Sequence, residues 1–214
     1  TKKDMVELLK VPESKITVIH HGVSDPIPDV LIGGRIIEED YILYVGTRGE
    51  VKNYKRLVKA FALLVKSPNY KHIKLVCTGE GFTYEEMNFL REEKVFENVI
   101  NKPCTEIAIA NLYKYALLFV FPSYYEGFGM PILEAMSYNC PTLIANASCF
   151  PEIAGDASLY FDPFSIEDIY SKIVFFLENS YLRSELNKKA KIKCVEMTWA
   201  KCAEKHWNLY QSLS

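Results

Sequence analysis

Glu126 and Glu134 bracket the run Gly127-Phe128-Gly129-Met130-Pro131-Ile132-Leu133, whose composition suits anion binding. Gly127 and Gly129 let a backbone approach a ligand closely. Pro131, which has no N–H of its own, suits the first turn of a helix, and the amides of Phe128, Gly129, Met130 and Ile132 are then helix-start donors without partners. Such donors, at the positive end of a helix dipole, favour a phosphate or diphosphate. A carboxylate beside that anion would repel it, so Glu126 and Glu134 are better matched to sugar hydroxyls, from which a carboxylate accepts hydrogen bonds. Taken singly, each has a plainer reading: Glu134 as a helix-dipole partner, Glu126 as a solvated loop charge.

A second group lies at Tyr44-Val45-Gly46-Thr47-Arg48-Gly49-Glu50-Val51-Lys52-Asn53, a strand end, a turn and a helix start. Lys52 sits where its ammonium reaches over a sheet edge, and Arg48 could offer a planar fork to the same anion. Two cations would neutralise a departing diphosphate. Gly46-x-x-Gly49 matches neither the dinucleotide nor the phosphate-loop spacing, so read alone the segment is equally a set of solvated charges around a turn.

Both groups need a scaffold that brings loops from different strands to one edge. Short β-branched and aromatic runs recur at Ile16–Ile19, Tyr41–Val45, Lys74–Cys77, Asn98–Ile100, Leu118–Phe121, Thr142–Ala145 and Leu159–Phe161. Several are continuously apolar, as strands buried on both faces are. Helical periodicity fills Asn53–Val65, Thr83–Glu93, Glu106–Tyr115, Pro131–Ser137 and Ile166–Leu177, then continues through Tyr181–Glu196 and Trp199–Leu213. This alternation predicts a doubly wound α/β domain with a parallel sheet, whose ligands bind beyond the carboxyl ends of the strands. Lys2–Leu9 has a short helical pattern, and Ser24–Glu39, with Pro26, Pro28, Gly33 and Gly34, reads as a linker. Phe175, Phe176 and Trp207 read as core, and His20 and His21 as solvent-satisfied loop histidines.

Composition removes several classes of function. With 25 Lys and Arg against 27 Asp and Glu, nothing attracts a nucleic-acid backbone generically. The longest apolar run, Ala116 to Phe121, is far short of the ~20 residues a spanning helix needs. Cys77, Cys104, Cys140, Cys149, Cys194 and Cys202 show no metal-ligand spacing, so they read as reduced thiols of a cytosolic protein and no metal is expected.

Together the two groups resemble the donor-binding half of a family 4 (group 1) retaining glycosyltransferase, and the resemblance runs over nearly the whole chain. Val18-Ile19-His20-His21-Gly22-Val23 is similar to the segment leading into the second domain of such enzymes. Tyr44-Val45-Gly46-Thr47 with Lys52-Asn53 is similar to the basic donor loop, and Glu126 to Glu134 to the signature of two glutamates separated by seven residues. Cys140-Pro141-Thr142, Pro151-Glu152, Gly155-Asp156-Ala157, Phe161-Asp162-Pro163 and Thr198-Trp199 continue it.

The resemblance implies a Rossmann-like sheet with C-terminal helices, one half of a two-Rossmann-domain (GT-B type) enzyme. It divides the chain into the tail of an absent N-terminal domain with a linker (1–22), a donor domain (23–180) and closing helices (181–214). It implies that Glu126 approaches the donor sugar, Glu134 holds the ribose, and the backbone of Phe128, Gly129 and Met130 meets the diphosphate, with Pro131, which has no N–H, as a positioning residue and Gly127, Gly46 and Thr47 as further donor-binding residues. Lys52 takes the phosphate-binding lysine's place. Many members carry Arg where Thr47 stands, and that role passes to Arg48; Asn101-Lys102-Pro103-Cys104 replaces a glycine that members commonly have beside the base. The implied reaction transfers a hexose such as mannose or glucose, with retention, from a UDP-, GDP- or ADP-sugar to a saccharide or lipid-linked acceptor held mainly by the absent domain. No cofactor or metal is required, and the location is cytoplasmic, with peripheral contact at the cytoplasmic membrane face. The alternatives are a non-catalytic nucleotide-diphosphate-binding module and a receiver-type interaction domain, the latter lacking its acidic cluster.

Overall fold

Continuous apolar runs become strands here because helices cover the sheet. The computed structural model describes residues 1–103 and 105–213, so Cys104 lies outside the described residues. In chain order the elements are α1 (Lys2–Glu7), α2 (Asp29–Ile32), β1 (Tyr41–Tyr44), α3 (Tyr54–Val65), β2 (Lys74–Thr78), α4 (Tyr84–Glu92), β3 (Val99–Lys102) and α5 (Glu106–Tyr115). They continue with β4 (Leu118–Phe121), α6 (Met130–Ser137), β5 (Thr142–Ala145), α7 (Phe150–Ala154), β6 (Leu159–Phe161), α8 (Ile166–Glu178), α9 (Ser180–Glu196) and α10 (Trp199–Leu213).

All strand pairs are parallel, in the order β3-β2-β1-β4-β5-β6, with Leu43 beside Val76 and Phe119. β1, β4 and β5 are buried along their whole length. The chain leaves the sheet centre in one direction through β2 and β3 and in the other through β4, β5 and β6. The strand order therefore reverses between β1 and β4, the place where open α/β sheets bind ligands beyond the strands' carboxyl ends. α3 buries Leu57, Val58, Phe61 and Leu64 and packs against α8, whose Ile169, Ile173 and Phe176 are also buried. α9 packs on α6 and seals Leu186 and Ala190 into the core.

The predicted strand Ile16–Ile19 is not part of the sheet. Its β-branched residues have no strand beside them among the described residues, and Val18 is 51% exposed. Only Val23 makes a bridge, to Thr198, with its amide on the Met197 carbonyl. Gly22 is required for this closure: a Cβ there would lie 2.0 Å from the Trp199 nitrogen. The linker Ser24–Glu39 contains α2, held on α5 by Asn111, whose amide donates to the Ile32 and Gly34 carbonyls. Phe176 is core as expected, but Phe175 and Trp207 are 48% and 62% exposed, because their side of each helix faces solvent. Among the described residues no helix is long and apolar enough to cross a membrane.

Candidate functional site

Lys52 and Glu126 meet where the strand order reverses. Lys52 Nζ lies 2.5 Å from Glu126 Oε1, between loops that follow β1 and β4 and are 74 residues apart in sequence. The residues on either side of Lys52 make that meeting specific. The Tyr124 amide donates to the Val51 carbonyl at 2.9 Å. Asn53, left-handed at φ 56 and buried, donates from Nδ2 to the Pro122 carbonyl at 3.1 Å and the Pro163 carbonyl at 2.8 Å. Asn tolerates that conformation better than most residues. The sequence places Asn53 beside Lys52 in the basic loop and at the start of the expected helix, whereas the structure places it just before α3 as the link between the two loops.

An ammonium has three donors, and Glu126 takes one. Both side chains remain partly exposed, so the ion pair is reachable by solvent and is not a core bridge. Beside it, among the described residues, no acceptor engages the amides of Gly127, Phe128 or Gly129. The Ile132 amide, expected to be a free donor, is bonded to the Gly129 carbonyl at 2.9 Å and is removed from the set. Gly129 turns the chain into α6 at φ +92, followed by Met130 and Pro131 in the first helical turn.

Glu134 lies on α6 and accepts from the Tyr113 hydroxyl at 3.1 Å. Burial raises its pKa, and the Tyr113 bond only partly offsets that. A carboxyl whose folded pKa exceeds its unfolded value favours the protonated fold, so it costs stability as pH rises from the ordinary 4.5 upward. Glu134→Gln is therefore expected to raise the melting temperature at pH 7.5 more than at pH 4.5. Any ligand hydroxyl held by the carboxylate should bind about tenfold more weakly, since a hydrogen bond to a charged group contributes roughly 1.5–3 kcal/mol. Thermal melts at the two pH values and a ligand titration check both signs.

Arg48 is not brought to this cluster. Its Nε donates to Glu86 Oε1 at 2.7 Å, and its Nη atoms donate to the carbonyls of Thr78, Glu80 and Gly81. The guanidinium stacks 4.9 Å from the Phe82 ring centroid, and the side chain is only 6% exposed. Glu86 is also the capping-box residue of α4. Burial alone would raise its pKa, yet Arg48 and Thr83 together hold it below the usual range. Arg48 here ties the loops after β1 and β2 together, most of its donors being taken by Glu86 and three carbonyls. Gly46 and Thr47 form the turn beside it, with the Thr47 carbonyl accepting from the Tyr44 hydroxyl at 2.5 Å.

A cavity of about 610 Å³ adjoins Gly127 and Phe128 and is walled by His20, His21, Cys149 and Glu152. His20 is held by Glu152 at 2.7 Å, not by solvent, and His21 packs edge-on to Phe128. Tyr124 stacks on Phe164, while the Tyr125 hydroxyl donates to Asp4. Among the described residues no group of three or more His, Cys, Asp or Glu side chains could hold a metal ion.

A six-stranded parallel sheet with helices on it and a cation–carboxylate pair at its switch point defines a doubly wound, Rossmann-like α/β domain. Comparison with known families matches residues 34–193 to the glycosyl transferases group 1, and the chain belongs to that family. It is 28% identical over its whole length to O-antigen chain mannosyltransferase B of Escherichia coli, spanning 58% of that protein. It is 32% identical over 94% of its length to the serotype-specific mannosyltransferase WbdA of Escherichia coli, spanning 26% of it. Its fold matches a glycosyltransferase from Rickettsia africae ESF-5 with a TM-score of 0.84 at 18% identity, covering 99% of this chain and 60% of that one. The chain thus spans little more than half the length of the first relative, consistent with a C-terminal domain of the two-domain GT-B type.

Proposed function

We propose that the chain is the donor-binding half of a retaining hexosyltransferase that uses a nucleotide sugar. The observation that carries this is the Lys52–Glu126 pair at the β1–β4 switch point, beside amides that lack acceptors. In the proposed complex the diphosphate lies against the Gly127–Gly129 amides and the α6 N-terminus, with Lys52 sharing its remaining donors. Glu134 accepts from ribose hydroxyls and Glu126 from the sugar. Breaking the anomeric carbon–oxygen bond builds negative charge on the leaving diphosphate and positive charge on the sugar. Fixed donors at that oxygen act most strongly when water is excluded, at about 3 kcal/mol for one well-placed group. A glycosidase-style covalent step needs two carboxyls ~5 Å apart, and Glu134 is assigned to the ribose, so the acceptor is taken to attack from the leaving-group face.

Mannose is the first hexose to test, because the relatives above are named mannosyltransferases; glucose is the second. The acceptor is proposed to be a saccharide or lipid-linked saccharide, held mainly by a second domain. The isolated chain should bind donor with little transfer, and the work is assigned to the cytoplasm or its membrane face. Lys52 and the helix terminus supply the positive charge, so binding is expected to persist in chelator. The test is calorimetric titration with UDP-, GDP- and ADP-sugars and their diphosphates. One nucleotide should bind in the micromolar range. Glu134→Ala should weaken the free diphosphate, whereas Glu126→Ala should chiefly erase discrimination between sugars. Failure of every nucleotide to bind would overturn the reading.

A further inference from the structure

The turn after β5 grips the 126–128 loop from behind. Ser148 is left-handed, φ 54, and its hydroxyl accepts from the Glu126 amide at 3.2 Å while donating to the Glu126 carbonyl at 3.0 Å. The Cys149 thiol donates toward the Phe128 carbonyl at 3.2 Å and lies 3.5 Å from the Glu126 carbonyl. Burial raises the Cys149 pKa, so the thiol keeps its proton, and its donor, at neutral pH.

In a trans peptide the C=O and the following N–H point in opposite directions. Carbonyls 126 and 128 are turned toward Ser148 and Cys149, so the N–H groups of Gly127 and Gly129 both point away from that turn. β4 lies between β5 and β1 in the sheet, so the loop after β4 has the β5 turn on one side and, on the other, the β1 loop whose Lys52 meets Glu126. Successive amides aimed to one side form a concavity for an anion.

We propose that Ser148 and Cys149 are positioning residues for diphosphate binding, fixing carbonyls 126 and 128 so that the amides of Gly127 and Gly129 face Lys52. This rests on the nucleotide-sugar reading above. Neither residue need touch the ligand.

The experiment compares this chain with Ser148→Gly, Cys149→Ala and Cys149→Ser. Each is titrated with the nucleoside diphosphate and with the parent nucleoside, and amide exchange is read at Glu126. Glycine is at ease in the left-handed region, so Ser148→Gly removes the hydroxyl while keeping the turn. Its melting temperature should stay near wild type and Glu126 should lose exchange protection. Diphosphate affinity should fall about tenfold, as expected for misaligned hydrogen bonds, with nucleoside affinity unchanged. Cys149→Ala should fall severalfold, and Cys149→Ser, which restores a donor, should recover. If wild type binds the diphosphate and Ser148→Gly binds it equally, the positioning role is wrong and the nucleotide reading stands. Equal loss of nucleoside and diphosphate would mean a merely structural role and also overturns it. If wild type binds no nucleotide although Glu126 protection still responds to Ser148→Gly, the nucleotide reading itself fails, and the positioning role falls with it.

Discussion

Lys52→Ala is expected to weaken nucleoside diphosphate binding about a hundredfold, roughly 2.7 kcal/mol, within the range of a lost charge-assisted hydrogen bond. Two effects add. The ammonium at the switch point disappears, and Glu126, which Lys52 holds at 2.5 Å, is left as an unpaired carboxylate next to the phosphates. The second effect gives the prediction its internal control. In Lys52→Ala with Glu126→Ala the repulsion is gone, so part of the affinity for the free diphosphate should return. The two substitutions share a contact and should be strongly non-additive. Transfer by an enzyme carrying both domains should not return, because leaving-group stabilisation is absent in both variants; the expected loss is about 10²–10³ in kcat. Calorimetry on the single and double variants is the measurement. Lys52→Ala binding as tightly as wild type would remove the residue from the phosphate site.

Much of this site was legible in sequence because its chemistry is local. The Glu126 to Glu134 stretch carries its own strand end, glycines and helix start, and β4, β5 and β6 coincide with the predicted runs because each is apolar on consecutive positions. What escaped depends on partners far along the chain. Arg48 reads as a phosphate ligand, and its pairing with Glu86, 38 residues on, has no signal in the sequence. Ser148 and Cys149 carry no pattern of their own, since their contacts are to carbonyls whose direction only the folded loop decides. Ile16–Ile19 has the composition of a strand but, among the described residues, no neighbouring strand to bond. Trp207 has helical spacing on a helix whose far side meets water. Residue type shows what a side chain can do, whereas the fold decides what is left for it to do.

The two glycines of the loop should separate folding from binding. At Gly129 a Cβ would lie 3.1 Å from the Ile132 methyl and 3.3 Å from the ring of Phe150, a fully buried residue, in a backbone at φ +92. The strained conformation costs about 1–3 kcal/mol and the overpacking a similar amount. At ~2–4 °C per kcal/mol for a domain of this size, Gly129→Ala should lower the melting temperature by roughly 10 °C. Gly127 has nothing within 4 Å of its Cβ position and lies outside the left-handed region. Gly127→Ala should therefore melt within ~2 °C of wild type, since surface changes of this kind alter stability by under ~0.5 kcal/mol. Its methyl group would instead stand where a diphosphate must approach the amides, and affinity should fall by about tenfold or more, as for one lost hydrogen bond to a charged group. Thermal melts and diphosphate titrations on the two variants decide the matter. A Gly127→Ala protein that is as unstable as Gly129→Ala, or that binds as tightly as wild type, would show that the open side of this loop is not where the phosphates lie.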